Sequence, residues 1–180
     1  MKRLASIDNT CYFVTTNIYR RQNIFNDDQT RRLLINVLSE TRGKYHYLIH
    51  GYVIMPDHVH LLITPHVRNQ ISDAMRFIKG LFARRYAEGK SLGYAQKGPE
   101  INSVGESSHV GEGFTLAAIW QKSFYDHVIR NDLDFQEKLN YIHNNPLKAG
   151  LVDDLENYPW SSYHDYFCDH PTLLEINFMS

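Results

Sequence analysis

The sequence predicts an α+β fold on three observations: short runs rich in β-branched and aromatic residues, stretches of apolar residues at helical spacing between them, and a proline turn that folds two runs back on each other. Cys11-Tyr-Phe-Val-Thr-Thr-Asn17 reads as the first strand, and the polar, basic loop Tyr19-Arg-Arg-Gln-Asn23 follows it. Asp27 or Asp28 caps a helix whose Leu33, Leu34, Val37 and Leu38 fall on one face. Two strands, about Tyr45 to Ile54 and His58 to Thr64, are joined by Met55-Pro-Asp57, where proline presets one backbone angle, so they form a β-hairpin. Ile71, Met75, Ile78, Leu81, Phe82 and Tyr86 mark the buried stripe of a second helix. From Gly89 to Gly113, Gly and Ser are frequent and periodicity is lost, which predicts a flexible excursion. A strand around Ser123 to Ile129 follows. Asn131-Asp132 then caps a helix with Phe135, Leu139 and Ile142 inward.

That order, strand, helix, strand, strand, helix, strand and a further helix, suggests a ferredoxin-like antiparallel sheet with helices on one face and an additional C-terminal helix. The strand bearing His58 and His60 is then central in the sheet. At 180 residues, 43% of them hydrophobic, the chain forms one domain, expected over residues 1–165, with 166–180 as a C-terminal tail.

Composition excludes several classes. No uninterrupted apolar run approaches the ~18 residues of a membrane helix, and the N-terminal Met-Lys-Arg-Leu-Ala-Ser is followed by no signal-length apolar stretch. The expectation is a soluble, cytoplasmic protein. Cys11 and Cys168 have neither CxxC spacing nor a disulfide framework and read as incidental thiols. The net charge of -1 hides an asymmetry: residues 1–90 hold 14 Lys and Arg against 7 Asp and Glu, residues 91–180 hold 5 against 13. A basic half can carry phosphates, although such charges can equally solvate exposed faces.

Chemistry concentrates in two segments. In Met55-Pro-Asp-His-Val-His-Leu-Leu-Ile63, His58 and His60 lie two apart on a strand and so point to one face, where two imidazoles can supply half the ligands of a divalent metal. Two hydrogen-bonded structural histidines would look the same. In Asn140-Tyr-Ile-His-Asn-Asn-Pro-Leu-Lys-Ala-Gly150, Tyr141 and Asn145 are four apart and share a helix face, with Pro146 placing Asn145 where the helix is expected to end. A phenol with an ordinary pKa near ~10 needs a polarised phosphate to act as a nucleophile at neutral pH. With 12 tyrosines in the chain, spacing alone does not select Tyr141.

Four ordered segments together resemble the REP-associated tyrosine transposases, a branch of the HUH single-tyrosine (IS200-like) transposase superfamily. They are Tyr52-Val-Ile-Met-Pro-Asp-His-Val-His-Leu-Leu-Ile63, Trp120-Gln-Lys-Ser-Phe-Tyr-Asp-His-Val-Ile-Arg130, Tyr141-Ile-His-Asn-Asn-Pro-Leu-Lys-Ala-Gly-Leu-Val152 and Tyr158-Pro-Trp-Ser-Ser-Tyr163. The resemblance implies that His58 and His60 bind Mg²⁺ or Mn²⁺. It also implies that Tyr141, on the C-terminal helix, attacks single-stranded DNA to leave a 5′-phosphotyrosine and a free 3′-OH. The third metal ligand is expected one turn after the nucleophile. Related enzymes commonly have Gln there, and this chain has Asn145. Tyr125 is the rival nucleophile, placed on a strand without a helical Asn partner.

The implied partners are repetitive extragenic palindromes, hairpin DNA with flanking single strand, handled by a monomer or a homodimer. Lys2, Arg3, Arg20, Arg21, Arg76, Lys79 and Lys148 are candidate phosphate contacts by charge and position, and solvated surface cations would account for them equally well. Two other classes remain open: a noncatalytic nucleic-acid-binding module, which would bind without cutting, and a metal-dependent hydrolase without a covalent intermediate. The acidic tail after Tyr163 has no motif, and covering the DNA site is one role it could take.

Overall fold

The structure, a computed structural model, describes residues 10–66, 70–96, 119–168 and 173–179, with backbone alone for 90–96. Four strands, β1 (Tyr12–Asn17), β2 (Leu48–Ile54), β3 (His58–Thr64) and β4 (Tyr125–Val128), form one antiparallel sheet in the order β2-β3-β1-β4. This is the ferredoxin-like strand order expected, and it makes β3 and β1 the two central strands. Among the described residues four α-helices accompany the sheet: α1 (Asp28–Tyr45), α2 (Ile71–Gln96), α3 (Asp132–Lys148) and α4 (Tyr163–Phe167).

Cross-strand register separates the faces. Thr15 opposes His60, Asn17 opposes His58 and Phe13 opposes Leu62, so these six side chains share one face. Tyr125 and His127 of β4, opposite Thr15 and Phe13, join them. Val14, Val59, Leu61 and Ile63 point the other way, are buried, and belong to the core with Leu34, Val37 and Leu38 of α1 and Met75, Ile78 and Phe82 of α2. α3 lies over the first face: Leu139 sits against Gly51 of β2, and Tyr141 against His60. The sheet is therefore covered by the α1–α2 pair on one side and by α3 on the other.

Local chemistry sets the boundaries. Asp27 caps α1, accepting from the backbone N–H groups of Gln29 and Thr30. α1 runs through Tyr45 and stops at His46, in the left-handed region at φ 55, so the strand expected from Tyr45 begins only at Leu48. The reason is tertiary: the Tyr45 ring stacks on Phe77 of α2 at 3.7 Å, which keeps it on the helix. Likewise α2 continues to Gln96, past Gly89 where irregular structure was expected, and the rest of that excursion, residues 97–113, lies outside the described residues.

Asn131 caps α3 through Asp134 N–H. Contrary to expectation, Pro146 does not end this helix. The helix continues through Pro146 to Lys148, and Asn145 is a helical residue one turn beyond Tyr141. Gly150, at φ +64, supplies the stop, with Leu151 N–H bonded to Pro146 O and Gly150 N–H to Leu147 O.

The outer edge of β2 is covered twice. Residues 158–163 bond along it, through Ile54 N–H to Trp160 O, Ser162 N–H to Tyr52 O and Tyr158 Oη to Ile54 O. Farther along, Asn177 N–H bonds Ile49 O, and Leu174 and Ile176 are buried. The described tail segment thus docks beside Ile49, which pairs with Ile63, at the opposite end of the hairpin from His58. Among the described residues no helix is long and apolar enough to cross a membrane.

Candidate active site

His58 begins β3 directly after the Pro56-Asp57 turn, and His60 lies two residues on along the same face. Their rings approach at 4.8 Å between centroids. His60 is only 3% exposed. Its Nδ1 lies 2.8 Å from Thr15 Oγ1, the side chain directly opposite in the ladder. We assign the proton to Nδ1, donating to Thr15, which leaves Nε2 with its lone pair. That Nε2 is buried without a hydrogen-bond partner. Burial, helped by the nearby His58 and Arg21 charges, holds the His60 pKa down to about 3, so the ring is neutral at physiological pH.

His58 is arranged in the same sense. Its Nδ1 lies 2.6 Å from Asp57 Oδ1, and a carboxylate can only accept, so Nδ1–H donates to it and Nε2 is the ring nitrogen turned away from that bond. Two imidazoles, each held at Nδ1 by an oxygen, form the arrangement in which histidines present Nε2 to divalent metals. The buried, unsatisfied Nε2 of His60 is the observation that fits such an ion. Among the described residues no group of three His, Cys, Asp or Glu side chains is placed to hold a metal ion.

Tyr141 arrives from α3. Its ring packs edge-on against His60 at 5.3 Å and against Phe13 at 5.8 Å, and it is 44% exposed, so the phenol is supported by the sheet yet open to a substrate. Asn145, half-buried, follows one helical turn later on the same side of α3. Lys148 Nζ sits 5.7 Å from the centre of the Tyr141 ring and brings positive charge to the phenol. Tyr125, 60% exposed on β4, packs edge-on against Phe13 at 6.4 Å, while the tyrosine ring against His60 is that of Tyr141.

Phe13 escaped the sequence reading. It stacks on His60 at 5.4 Å and touches both tyrosines, and its alternation with Thr15 and Asn17 on β1 is the signal that could have found it. His143 was missed too. It is buried on α3, with Nε2 2.9 Å from Ser162 Oγ, and the same Ser162 Oγ accepts from Tyr52 N–H. That serine ties the tyrosine helix to β2. Burial lowers the His143 pKa to about 4.

The cations divide. Arg21 is half-exposed beside the histidines, with Nε 2.8 Å from Asp57 Oδ2 and Nη1 bonded to Asn17 Oδ1. Arg20 is its exposed neighbour, and both hold left-handed backbone, φ 54 and 56, at a cost of about 1–2 kcal/mol each for non-glycine residues. Lys79, half-buried with its pKa lowered by burial, bonds Gln121 O at 2.8 Å and lies over Phe124, so it secures the segment leading into β4. Arg76 pairs with Asp73 and lines, with Lys44, Tyr45, Phe77 and Arg84, a cleft of about 310 Å³ between α1 and α2. Arg3 lies outside the described residues.

Comparison with known proteins follows the same lines. An Escherichia coli K12 REP-associated tyrosine transposase is 27% identical over 154 residues, covering 85% of this chain and 76% of the relative. A Haemophilus influenzae protein, provisionally given the same designation, is 28% identical over 145 residues, covering 76% of this chain and 74% of the relative. The fold matches the solved structure of a REP-associated tyrosine transposase bound to a REP hairpin, with TM-score 0.68, 22% identity, and coverage of 100% of this chain and 93% of that one. The family described as Transposase IS200 like matches residues 7–97, which include β1, the His58–His60 strand and α2. The chain belongs to the IS200-like transposase family.

Proposed function

We propose that this transposase is a metal-dependent endonuclease and strand transferase that cuts and rejoins single-stranded DNA beside hairpins, of the repetitive extragenic palindrome type, through a 5′-phosphotyrosine. The observation that carries this reading is the placement of the exposed Tyr141 phenol ring 5.3 Å from the buried His60 ring, whose Nε2 has no other partner. His58 and His60, with Asn145 as the third ligand, would hold Mg²⁺ or Mn²⁺. Such an ion, when bound, polarises the scissile phosphate and stabilises the leaving oxygen.

The chain's own groups do the rest. The Tyr141 oxygen forms a bond to phosphorus and gives up its proton, the bond from phosphorus to the 3′ oxygen breaks, and that oxygen takes up a proton to become a free 3′-OH. The phosphotyrosyl ester keeps the energy of the broken phosphodiester, so the reverse attack by a 3′-OH rejoins DNA without ATP. Lys148 lies against the Tyr141 ring, Arg21 pairs with Asp57 beside His58, and Arg20 is its exposed neighbour in the chain, so these three are the cations we assign to phosphates near the break. Arg76, paired with Asp73, and Lys79, bonded to Gln121 O, would act farther along the DNA. Tyr125, 60% exposed and backed by Phe13, offers aromatic surface near the nucleophile for an unpaired base.

The test is cleavage of hairpin-bearing single-stranded DNA by wild type, His58→Ala and His60→Ala, with and without Mn²⁺, folding being checked by circular dichroism. The reading expects cleavage only by the wild type and only with metal. Unchanged metal-dependent cleavage in folded His58→Ala or His60→Ala protein would remove those residues from the site.

A further inference from the structure

We propose that Asp57 is a positioning residue for His58 and that Arg21 locks Asp57 in place, forming an Arg21–Asp57–His58 relay that fixes the direction of one metal-binding imidazole. The inference rests on the reading of His58 as a metal ligand.

The geometry is continuous. The two oxygens of one largely buried carboxylate divide their duties, Oδ1 to His58 Nδ1 at 2.6 Å and Oδ2 to Arg21 Nε at 2.8 Å. Arg21 is in turn forked, since its Nη1 bonds Asn17 Oδ1, and Asn17 is the residue opposite His58 in the β1–β3 ladder. Asn17 Nδ2 reaches Gln121 Oε1 at 3.4 Å, so the fork is itself braced. The guanidinium therefore spans β1 and the β2–β3 turn and holds the carboxylate from the side away from the imidazole.

The backbone is shaped to this purpose. Consecutive arginines at φ 54 and 56 are uncommon for residues with a Cβ, and such strain persists only where surrounding structure enforces it. The enforcement is visible: Ile18 N–H bonds Asp57 O at 2.8 Å, and Phe25 N–H bonds Pro56 O at 3.0 Å, so the loop is stitched to the Pro56-Asp57 turn on both sides of the strained pair. A surface arginine needed only for attraction to DNA would require none of this. An arginine that must meet Asp57 Oδ2 through Nε and Asn17 Oδ1 through Nη1 from a fixed direction does, because the guanidinium fork is directional and a lysine ammonium is not.

The test is a direct Mn²⁺ titration, by calorimetry, of full-length wild type, Asp57→Ala, Asp57→Asn, Arg21→Ala, Arg21→Lys, the Asp57→Ala/Arg21→Ala double variant and His58→Ala, with folding followed by circular dichroism. Loss of an outer partner of a metal-bound histidine weakens metal binding by about 10–100-fold, and that is the change expected for Asp57→Ala. Asp57→Asn, which keeps an acceptor for Nδ1–H, loses less. Arg21→Ala loses less than Asp57→Ala, Arg21→Lys does not restore wild-type affinity, and the double variant binds Mn²⁺ as Asp57→Ala alone, since Arg21 reaches the metal site only through Asp57.

Wild-type Mn²⁺ affinity in folded Asp57→Ala and Asp57→Asn, while His58→Ala loses it, would overturn the relay and leave the ligand reading standing. Independent, additive losses in the double variant would also overturn it, as would Arg21→Ala protein that binds DNA more weakly but Mn²⁺ as wild type. Wild-type affinity in His58→Ala would remove the ligand reading and the relay with it.

Discussion

Replacing Gly51 with alanine tests whether the close seating of α3 on the sheet is what brings Tyr141 to His60. A Cβ at Gly51 would stand 2.9 Å from Leu139 Cδ1, with Leu62 Cδ1 and Ser162 Oγ each at 3.5 Å. Carbon atoms in contact prefer about 3.5–4.0 Å, so Leu139, 2% exposed in the core, must retreat or α3 must lift. Overpacking of this kind costs about 1–3 kcal/mol, offset by about 0.4–1 kcal/mol from the stiffer unfolded chain. The net expectation is a loss of about 1–2 kcal/mol, or about 3–6 °C in Tm for a chain of this size. Valine at the same position cannot be absorbed by one side chain and should cost more. Because misplacement by about 1 Å can cost a catalytic site up to ~10²-fold in rate, formation of the covalent DNA adduct should slow more than the Tm change alone explains. Thermal unfolding and adduct kinetics on the same samples check this. Leu139→Ala in the Gly51→Ala background should be less damaging than the sum of the single changes, since the added methyl enters the space vacated. Wild-type Tm and adduct rate in both Gly51→Ala and Gly51→Val, or strict additivity in the double variant, would refute the reasoning.

Three further expectations follow from the same geometry. Thr15→Val removes the acceptor for His60 Nδ1 at nearly constant volume, so Mn²⁺ affinity measured by calorimetry should fall about 10–100-fold while the far-ultraviolet dichroism is unchanged. For His143 the folded pKa of about 4 lies below the ordinary value of 6.5, so the neutral ring stabilises the fold fully above pH 6.5, and that contribution is lost as pH falls toward 4. On the order of 3 kcal/mol is at stake across that window, and urea unfolding at pH 7 and pH 5 should show a slope that flattens in His143→Gln. Deleting residues 173–180 exposes the β2 edge beside Ile49 and forfeits the buried Leu174 and Ile176, worth about 3–6 kcal/mol by area. The urea midpoint should drop while DNA affinity holds, because the docking place is at the far end of the hairpin from His58; weaker or tighter DNA binding would instead tie the tail to the site.

What the residues alone revealed was governed by local rules. Asp27 before α1, Asn131 before α3, Pro56 in the hairpin turn and the two-residue spacing of His58 and His60 each act through their nearest neighbours, and each was readable without tertiary knowledge. The departures came from distant partners. Tyr45 is rich in strand propensity but stacks on Phe77, and α1 keeps it. Pro146 stays within α3 because that helix end is decided by the left-handed Gly150. The site shows the same division. His58, His60, Tyr141 and Asn145 became candidates through motif spacing together with the family resemblance, whereas Phe13, Thr15 and Asp57 became visible only when the ladder placed β1 beside β3 and Arg21 across the turn. A second group of cations changed meaning on folding: Lys79 is occupied with Gln121 and Arg76 with Asp73, which charge counting along the chain had no means of revealing.

The most direct test of the central claim is a denaturing gel of wild type and Tyr141→Phe after incubation with labelled hairpin-bearing single-stranded DNA and Mn²⁺. The account predicts a covalent protein–DNA adduct with wild type and none with Tyr141→Phe, the variant remaining folded and able to bind the DNA. An adduct that persists in Tyr141→Phe would pass the nucleophile's role to another residue, with Tyr125 first in line, and cleavage by wild type without any adduct would contradict the phosphotyrosine chemistry itself.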